Sequence, residues 1–434
     1  MNAQISHSDS QALLTAPKPR RMSSRNLIIA LAAIMALQMT SFVMILPLFP
    51  RRFSELGAGV EALGISAMAY ALTSALAAPF MGALADRFGR RPLVLVSLAA
   101  YAVAFSGYLL APSAGVFILM RGFAGVFTAG LIPAVTGLAV DLAAKDRRAQ
   151  WIGFINGGAA FGWIAGPIAG GTIYDHWGYS AALVVSIIMA ITTFLMATLF
   201  VPESRPASVR SFNPKEYRTA YHFSKNVKVL LLNVRDTLPD PLSGFIVLLF
   251  IFFAVLFAWA FIEPRFMFYA YDDLGWNASM LGLVMSTYGT AMMLGEFGFG
   301  RSSDRLGRKP IILLGLTLFS AQFIGLALFR NYLLIAGTFV IAGLGNALYD
   351  PALSASILDI SPEEHRARIL GIKSMVGSTG SILGPALVAL LNASMDARGI
   401  FLIAVVVVLL TALIVLIYSA RERYPGKNSL RMPA

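Results

Sequence analysis

The segment Gly82-Ala-Leu-Ala-Asp86-Arg-Phe-Gly-Arg-Arg-Pro92 recurs later in the chain as Gly300-Arg-Ser-Ser-Asp304-Arg-Leu-Gly-Arg-Lys-Pro310. The difference between residue numbers 304 and 86 is an offset of 218, which also aligns pairs far from this motif. These pairs are Leu56-Gly57 with Leu274-Gly275, Leu63-Gly64 with Leu281-Gly282, Gly125 with Gly343, Pro133-Ala134 with Pro351-Ala352, Asp141 with Asp359, Arg148 with Arg366, and Gly166-Pro167 with Gly384-Pro385. Glycine and proline mark special backbone geometry, so their coincidence at one offset indicates two copies of one structure. The sequence therefore predicts an internal duplication.

The composition is that of a membrane protein. Hydrophobic residues make up 57% of the chain and charged residues 13%, with a mean hydropathy of +0.73. Soluble domains have roughly 45–50% apolar and about 25% charged residues. Apolar runs of about 20 residues, the length that crosses a bilayer as a helix, recur along the chain. The predicted spans lie near 27–49, 62–84, 92–112, 115–140, 149–172, 179–201, 244–269, 279–300, 310–329, 332–357, 367–391 and 397–419.

These runs predict an all-α polytopic membrane protein, with twelve transmembrane helices in two pseudo-symmetric six-helix bundles. We expect a cytoplasmic N-terminal tail over 1–26, the two bundles over 27–201 and 244–419, a central cytoplasmic loop over 202–243, and a C-terminal tail over 420–434.

The net charge of +12 follows the topology rather than a soluble face. Most of the Lys and Arg fall in alternate loops and in the termini, or just inside the helix ends that flank them. The exceptions are Arg51, Arg52, Arg265, Arg330 and Arg398 on the other side, and Arg121 within a span. This positive-inside asymmetry predicts that both termini are cytoplasmic, and it argues against nucleic acid as a partner. The chain has no cysteine, and its four histidines fall in predicted loops or tails, so we expect no metal, no cofactor and no histidine relay.

The pattern G-x-x-x-D-R-x-G-R-R/K-P between the second and third spans resembles the signature loop of the major facilitator superfamily. The resemblance covers nearly the whole chain, and the duplicated loop makes it specific for the superfamily. It implies a secondary transporter that works as a monomer in the lipid bilayer, here a bacterial inner membrane. Its two halves would rock around a central small-molecule site by alternating access.

The same resemblance implies a gate on the cytoplasmic side. Asp86 and Asp304 are expected to meet a neighbouring helix N-terminus together with Arg148 and Arg366, while the arginines of the motif pair with Asp141 and Asp359. An alternative is a static anchor of basic residues. The predicted gate consists of Gly82, Asp86, Arg87, Gly89, Arg90, Asp141 and Arg148 in the first half, and Gly300, Asp304, Arg305, Gly307, Arg308, Asp359 and Arg366 in the second.

A second motif lies on span 5 and reads Gly162-Trp-Ile-Ala-Gly166-Pro167-Ile-Ala-Gly170-Gly171. Small residues four apart let helix backbones approach closely, and proline bends the helix. The segment resembles the antiporter motif of multidrug efflux proteins, and the second half has Val388-Ala389 in place of its last two glycines. It favours export in exchange for protons. Generic helix packing, and a facilitator or proton symporter that imports a nutrient, remain the alternatives.

Charges present in only one half are candidates for proton coupling. The offset pairs three of them with apolar residues: Arg121 with Phe339, Glu263 with Ile45, and Asp350 with Ile132. Arg121 also matches the span-4 arginine that the family associates with proton coupling. We expect the proton site at Asp350 with Arg121 as its electrostatic partner, and next at Glu263, since burial and nearby charge control how a carboxyl holds its proton. The alternatives are that Asp350 joins the inner charge cluster and that Glu263 pairs with Arg265.

The expected cavity is apolar. Span 7 is rich in aromatic residues, and methionines on spans 1 and 8 add adaptable surface, which suits a lipophilic or amphipathic substrate. Lipid-facing rings are an equally good explanation. A receptor or lipid-modifying enzyme is a rival class, but the sequence contains no metal-spaced set and no dinucleotide loop in a strand–turn–helix setting. We therefore expect a transporter and not an enzyme.

Overall fold

The structure is a computed structural model that describes residues 24–144, 147–204, 239, 242–299, 306–362 and 366–423. The described residues form helices and short connections, without a strand among them. Most of both tails and most of the central loop predicted from the sequence lie outside this set.

Helices of the first half follow the predicted spans closely. Span 1 bends at its end into a 3₁₀ turn over Leu46–Leu48, where Pro47 removes a backbone donor, and a short helix follows. Span 4 is interrupted between Thr128 and Leu131. The helices are Ser24–Ile45, Phe49–Glu55, Val60–Phe88, Arg90–Leu110, Ala114–Thr128, Leu131–Leu142 and Arg148–Phe200.

The second half repeats this arrangement. Span 7 ends in a π-helical turn over Tyr269–Asp273, and span 9 is interrupted at Ser320. Several spans start on a polar cap, for example Asn331, whose side-chain oxygen accepts from the backbone N–H of Leu333 at 2.9 Å. The helices are Leu242–Phe268, Ala278–Phe299, Arg308–Phe319, Ala321–Leu328, Tyr332–Asp359, Arg366–Leu391 and Ala397–Arg423.

The continuous helix Arg148–Phe200 is two crossings joined by a reversal at Gly178, whose φ is +80°. Glycine has no Cβ and adopts this conformation without strain. Two contacts with one turn of span 1 prove the reversal. Gly162 packs on Met39, and the Thr193 hydroxyl donates to Gln38 Oε1 at 2.8 Å. Spans 5 and 6 therefore run antiparallel on either side of Gly178, where the sequence predicts a loop.

Ten helices in the described ranges are long and apolar enough to cross a membrane, and Gln150–Phe200 is one of them. Ala278–Phe299, which occupies the position of span 8, has 22 residues but is not among the ten. The all-helical membrane fold is thus confirmed, whereas the full count of twelve crossings stays a prediction.

The duplication is present in the backbone and in the packing. Positive φ occurs at Gly57 and Gly275 (69° and 67°) and at Gly89 and Gly307 (105° and 88°), two pairs separated by the predicted offset. Helix contacts repeat as well: span 2 packs on span 4 as span 8 packs on span 10, and span 3 packs on span 4 as span 9 packs on span 10. The two halves meet where span 2 packs on span 11 and span 5 packs on span 8.

We call the end of the bundle that carries Gly89 and Gly307 the loop face. The opposite end, where span 5 turns into span 6 at Gly178, is the far face.

Candidate functional site

Two pairs of helices approach each other closely near the far face, and each pair joins the two halves. A Cβ built on Gly64 of span 2 would lie 2.8 Å from the carbonyl oxygen of Pro385 on span 11. At the positions related by the offset, a Cβ on Gly282 of span 8 would meet the carbonyl oxygen of Pro167 on span 5. Only glycine allows such an approach, so these two sites hold the backbones of the halves together.

The same helix faces are open toward the loop face. Gly82 lies about five turns beyond Gly64, on the same side of span 2. A Cβ on Gly82 meets nothing within 4 Å. The same is true of Gly157, which lies about four turns before the tightly packed Gly171 on span 5. The interface between the halves is therefore closed at the far face and open at the loop face.

Polar contacts strengthen the far-face closure. Asp175, at the end of span 5, accepts hydrogen bonds from the backbone N–H groups of Ala278 (3.0 Å) and Ser279 (2.8 Å) in the first turn of span 8. A carboxylate at a helix N-terminus satisfies orphan donors and favours the helix dipole. At the equivalent junction between spans 11 and 2, the Asn392 amide donates to Glu61 Oε1 at 2.7 Å.

Tyr271 makes a third junction at the far face. Its hydroxyl donates to the Pro47 carbonyl at 2.7 Å, and the Arg51 guanidinium lies 4.2 Å from the centre of its ring. We refer to Arg51, Glu61, Asp175, Tyr271 and Asn392 as the far-face lock. Sequence reasoning did not identify any of them, because their partners lie in the other half and no local motif marks them.

At the loop face, ion pairs form within each half. Arg90 Nε lies 3.5 Å from Asp141 Oδ2, and Arg308 contacts both carboxylate oxygens of Asp359, at 2.5 and 3.2 Å. These are the pairs that the sequence predicts between the motif arginines and the two aspartates. Their role in gating stays a prediction.

The structure describes the side chains of only some of the other predicted gate residues. Arg87 lies over the ring of Phe88 at 4.9 Å, and Arg148 starts span 5. The side chains of Asp86 and Arg366 are not among those described, and Gly300, Asp304 and Arg305 lie outside the described residues.

The connection after span 6 adds polar contacts to the first loop. Glu203 Oε1 accepts from the backbone N–H of Arg90 at 3.1 Å, and the Ser204 hydroxyl donates to Asp141 at 2.8 Å. Glu203 thus caps the start of span 3. The offset places Arg421 opposite Glu203, so the second half does not repeat this cap in sequence.

The glycine motif of span 5 packs against two different helices. A Cβ on Gly162 would lie 2.5 Å from Met39 Cβ, and one on Gly166 would lie 3.0 Å from the backbone of span 1, which Gly170 contacts as well. Gly171 instead packs on Ala278 of span 8. The motif therefore fixes span 5 to span 1 within the first half and to span 8 across the interface.

A cavity of about 140 Å³ lies between span 5 and spans 7 to 10. Six of its eleven lining residues are aromatic; the full set is Trp163, Pro167, Val255, Leu256, Trp259, Met285, Tyr288, Phe319, Phe339, Asn346 and Tyr349. Asn346 donates to the Tyr288 oxygen at 2.5 Å, which leaves the Tyr288 proton and the Asn346 carbonyl for a ligand.

The aromatic character expected of the cavity comes only partly from span 7. Trp259 lines it and stacks on Tyr288 at 6.2 Å. Phe253, Phe257 and Phe261 instead stack on one another at 5.8 and 5.7 Å, beside the glycines of span 11. Most rings of span 7 therefore serve packing.

Arg121 is buried, with 6% of its surface exposed, although it carries a charge. Its guanidinium lies over the rings of Tyr70 and Phe49, at 4.5 and 5.2 Å. Nε and Nη1 have no hydrogen-bond partner in the described part of the chain. The charged group that interacts with it from the other half is Glu263 of span 7. Arg265 is the alternative partner that the sequence predicts for Glu263. Its Nη2 lies 3.8 Å from Asp273 Oδ2 instead.

The expected partnership of Arg121 with Asp350 is wrong. The helix that carries Arg121 begins at the far face with Ala114, and span 10 begins at the same face with Tyr332. Arg121 lies about two turns from its helix start and Asp350 about five turns from its own, so their depths differ by about 17 Å. The basic residue that acts on Asp350 is Lys373 of span 11.

Lys373 was missed in the sequence because it lies close to a basic loop and resembles a flanking charge. The offset would have found it, since it pairs Lys373 with Ile155. Its ammonium donates to the Ser354 hydroxyl at 2.7 Å and lies 4.4 Å from the ring centre of Phe252.

Comparisons with known proteins agree with this architecture. The profile of the Major Facilitator Superfamily matches residues 31–271 and again 248–433. "Multidrug resistance protein MdtG" of Klebsiella pneumoniae (strain 342) is 27% identical over 409 residues, covering 91% of each chain. "Tetracycline resistance protein, class C" of Escherichia coli is 25% identical and covers 86% of this chain and 91% of its own.

Solved structures share the fold at low identity. A peptide transporter POT, crystallised as a single-site mutant, has a TM-score of 0.76 at 14% identity, covering 95% of this chain and 98% of its own. The human organic anion transporter MFSD10 (TETRAN) has a TM-score of 0.66 at 19% identity, covering 92% and 100%. With the duplicated loop, the repeated packing and the profile match over both halves, this chain belongs to the Major Facilitator Superfamily and is a membrane transporter of small molecules, not an enzyme.

Proposed function

We propose that the chain exports a small lipophilic or amphipathic compound in exchange for protons, across a bacterial inner membrane and with the loop face in the cytoplasm. The charge asymmetry of the sequence supports this orientation, and the glycine motif of span 5 and the names of the two relatives support export.

One observation carries the proton coupling. Glu263, a carboxylate of the second half, interacts electrostatically with the buried Arg121 guanidinium of the first half, whose Nε and Nη1 have no hydrogen-bond partner among the described residues. Because alternating access moves the halves relative to each other, the separation of these two groups changes during the cycle. A carboxylate binds its proton more tightly when the cation withdraws and releases it when the cation approaches. Glu263 can therefore load a proton in one state and lose it in the other.

Substrate would bind in the aromatic cavity, whose lining residue Trp259 lies about one turn before Glu263 on span 7. Trp163 and Pro167 belong to the first half and the other lining residues to the second, so closure of the loop face would compress the cavity. The Tyr288 hydroxyl and the Asn346 carbonyl offer one donor and one acceptor, and the rest of the lining offers apolar contact. Such a site suits an amphipathic ligand with few polar groups.

The test is uphill transport driven by an imposed pH gradient in inverted membrane vesicles, with substrate exchange measured in the absence of a gradient. Glu263→Gln should abolish uphill transport and retain exchange. Glu55→Gln is the matched control, because Glu55 lies at the exposed far face and pairs with Arg52 at 2.9 Å. Uphill transport that survives Glu263→Gln contradicts this assignment, and Asp350→Asn then tests the other carboxylate.

The direction of transport is tested in the same vesicles. Export requires accumulation inside inverted vesicles when their interior is acidic. Proton-driven accumulation in right-side-out vesicles with an acidic exterior would instead identify a proton symporter that imports its substrate.

A further inference from the structure

Span 10 carries a polar stripe that runs from the cavity toward the loop face. Asn346, Asp350 and Ser354 are spaced four residues apart and so lie on one side of the helix, over about 12 Å. The offset pairs them with Thr128, Ile132 and Thr136 in the first half. A charged stripe at this position is therefore particular to the second half.

Lys373 reaches this stripe from another helix. Span 10 packs mainly against spans 8 and 9, and span 11 packs mainly against spans 7 and 2. The Lys373 ammonium nevertheless donates to the Ser354 hydroxyl, one turn beyond Asp350. The ammonium also lies over the ring of Phe252, which partly covers it. Two of its three N–H donors remain for another acceptor.

Asp350 is an acceptor without a partner. Among the described residues it forms no hydrogen bond, and no basic nitrogen lies within 4.0 Å of its carboxylate. The charged and titratable groups that face it are Lys373 from span 11, Glu296 and Tyr288 from span 8, and Tyr349 on its own helix. Span 9 contributes no titratable residue between Ile311 and Phe329, and those of span 7 lie near the far face.

An ionised carboxylate inside a membrane requires a compensating charge. Lys373 is the only cation among the groups that face Asp350 in the described structure, and its current acceptor is one helical turn away, about 5.4 Å. The lysine side chain is flexible enough to cover that distance by rotamer changes. Moving the ammonium from Ser354 to Asp350 would neutralise the carboxylate as its proton leaves for water at the open loop face.

Resting on the proton-driven function above, with Asp350 as a second proton-binding carboxylate beside Glu263, we propose that Lys373 is a positioning residue whose ammonium alternates between Ser354 and Asp350. It occupies Asp350 when a proton does not. Lys373 and a proton therefore compete for one carboxylate, so that Asp350 is either protonated or paired with the ammonium in every step of the cycle.

The test is made without substrate. It measures how pH shifts the equilibrium between the state open at the far face and the state open at the loop face. The natural chain has no cysteine, so spin labels can be attached at Gln150 and Leu306, exposed positions on the two halves at the loop face. Their distance distribution over a pH series gives a midpoint for each variant.

Lys373→Gln keeps a hydrogen-bonding group and removes the charge. We expect its midpoint to rise by about one pH unit, a tenfold change in proton concentration, because the proton loses its competitor. Lys373→Arg should restore the midpoint. Ser354→Ala should lower it, since the ammonium loses its alternative acceptor. Lys309→Gln, which removes a cation from the same face beside Tyr418, should leave it unchanged.

A midpoint in Lys373→Gln equal to that of the natural chain overturns the role of Lys373 while leaving proton coupling intact. If the natural chain itself shows no pH-dependent shift, the proton-driven function fails, and the role of Lys373 with it. Should Lys373→Gln not fold, as judged by size-exclusion elution, the direction of the Ser354→Ala shift decides: an unchanged or raised midpoint refutes the competition.

Discussion

Asp175→Asn offers the sharpest test of the closed far face. The two carboxylate oxygens of Asp175 accept from consecutive backbone N–H groups of span 8, Ala278 and Ser279, in the other half of the molecule. Asparagine keeps one acceptor, but it loses the charge and directs an NH₂ group at the second donor. The substitution therefore weakens a contact that exists only while the far face is closed.

The size of the effect follows from this geometry. Asp175 is exposed, so the charge at the helix N-terminus contributes about 0.3–1 kcal/mol. The lost hydrogen bond adds about 0.5–1.5 kcal/mol. A total of about 0.8–2.5 kcal/mol corresponds to a shift of roughly 4- to 60-fold in an equilibrium constant. We expect the equilibrium to move by that factor toward the state that is open at the far face.

The assay is a distance measurement between spin labels at Ser54 and Ser394, which are exposed at the far face on opposite halves. Asp396→Asn is the matched control. Asp396 accepts from the backbone N–H of Gly399 at 2.9 Å and caps its own helix at the same face, without crossing between the halves. If Asp175→Asn and Asp396→Asn give the same distance distribution, Asp175 does not hold the far face closed.

Three further results are expected. Gly282→Ala should impair far-face closure because its Cβ would meet the Pro167 backbone, whereas Gly298→Ala on the same helix meets nothing within 4 Å and should transport normally; equal transport by both variants refutes the close-contact role. Asp86→Asn should insert normally, transport weakly and shift toward the state open at the loop face, and an unchanged loop-face distance distribution would count against its gating role. Cysteine at Ser54 should react only with reagent outside the cell, and labelling from the cytoplasm would reverse the proposed orientation.

Much of the fold could be predicted from the sequence because each feature of one half can be compared with the residue 218 positions away in the other half. The offset places the positive-φ turns at Gly89 and Gly307, and it pairs Arg90–Asp141 with Arg308–Asp359. These features depend on local sequence, which both copies retain.

The site was less predictable because its contacts depend on how deep residues lie and on which helices meet. Their opposite charges alone suggest that Arg121 and Asp350 are partners. Counting residues from the far face shows, however, that their depths in the bundle differ by about 17 Å. Asp175 is related by the offset to Ala393, so comparing the halves gives no reason to connect it with span 8. Its role follows only from the packing of span 5 on span 8 across the interface.

Combining the two aspartate substitutions distinguishes a true conformational balance from local damage. Asp175→Asn is expected to favour the state open at the far face and Asp86→Asn the state open at the loop face. The two residues lie at opposite ends of helices that are roughly 40 Å long, and substitutions at such distances add nearly independently. Their opposite shifts should therefore cancel, and the double variant should return toward the natural distribution at both label pairs. Local damage at either site would instead leave the defects of both single variants in the double variant. Transport gives an independent reading: if balance between the states limits the rate, the double variant should export faster than either single variant.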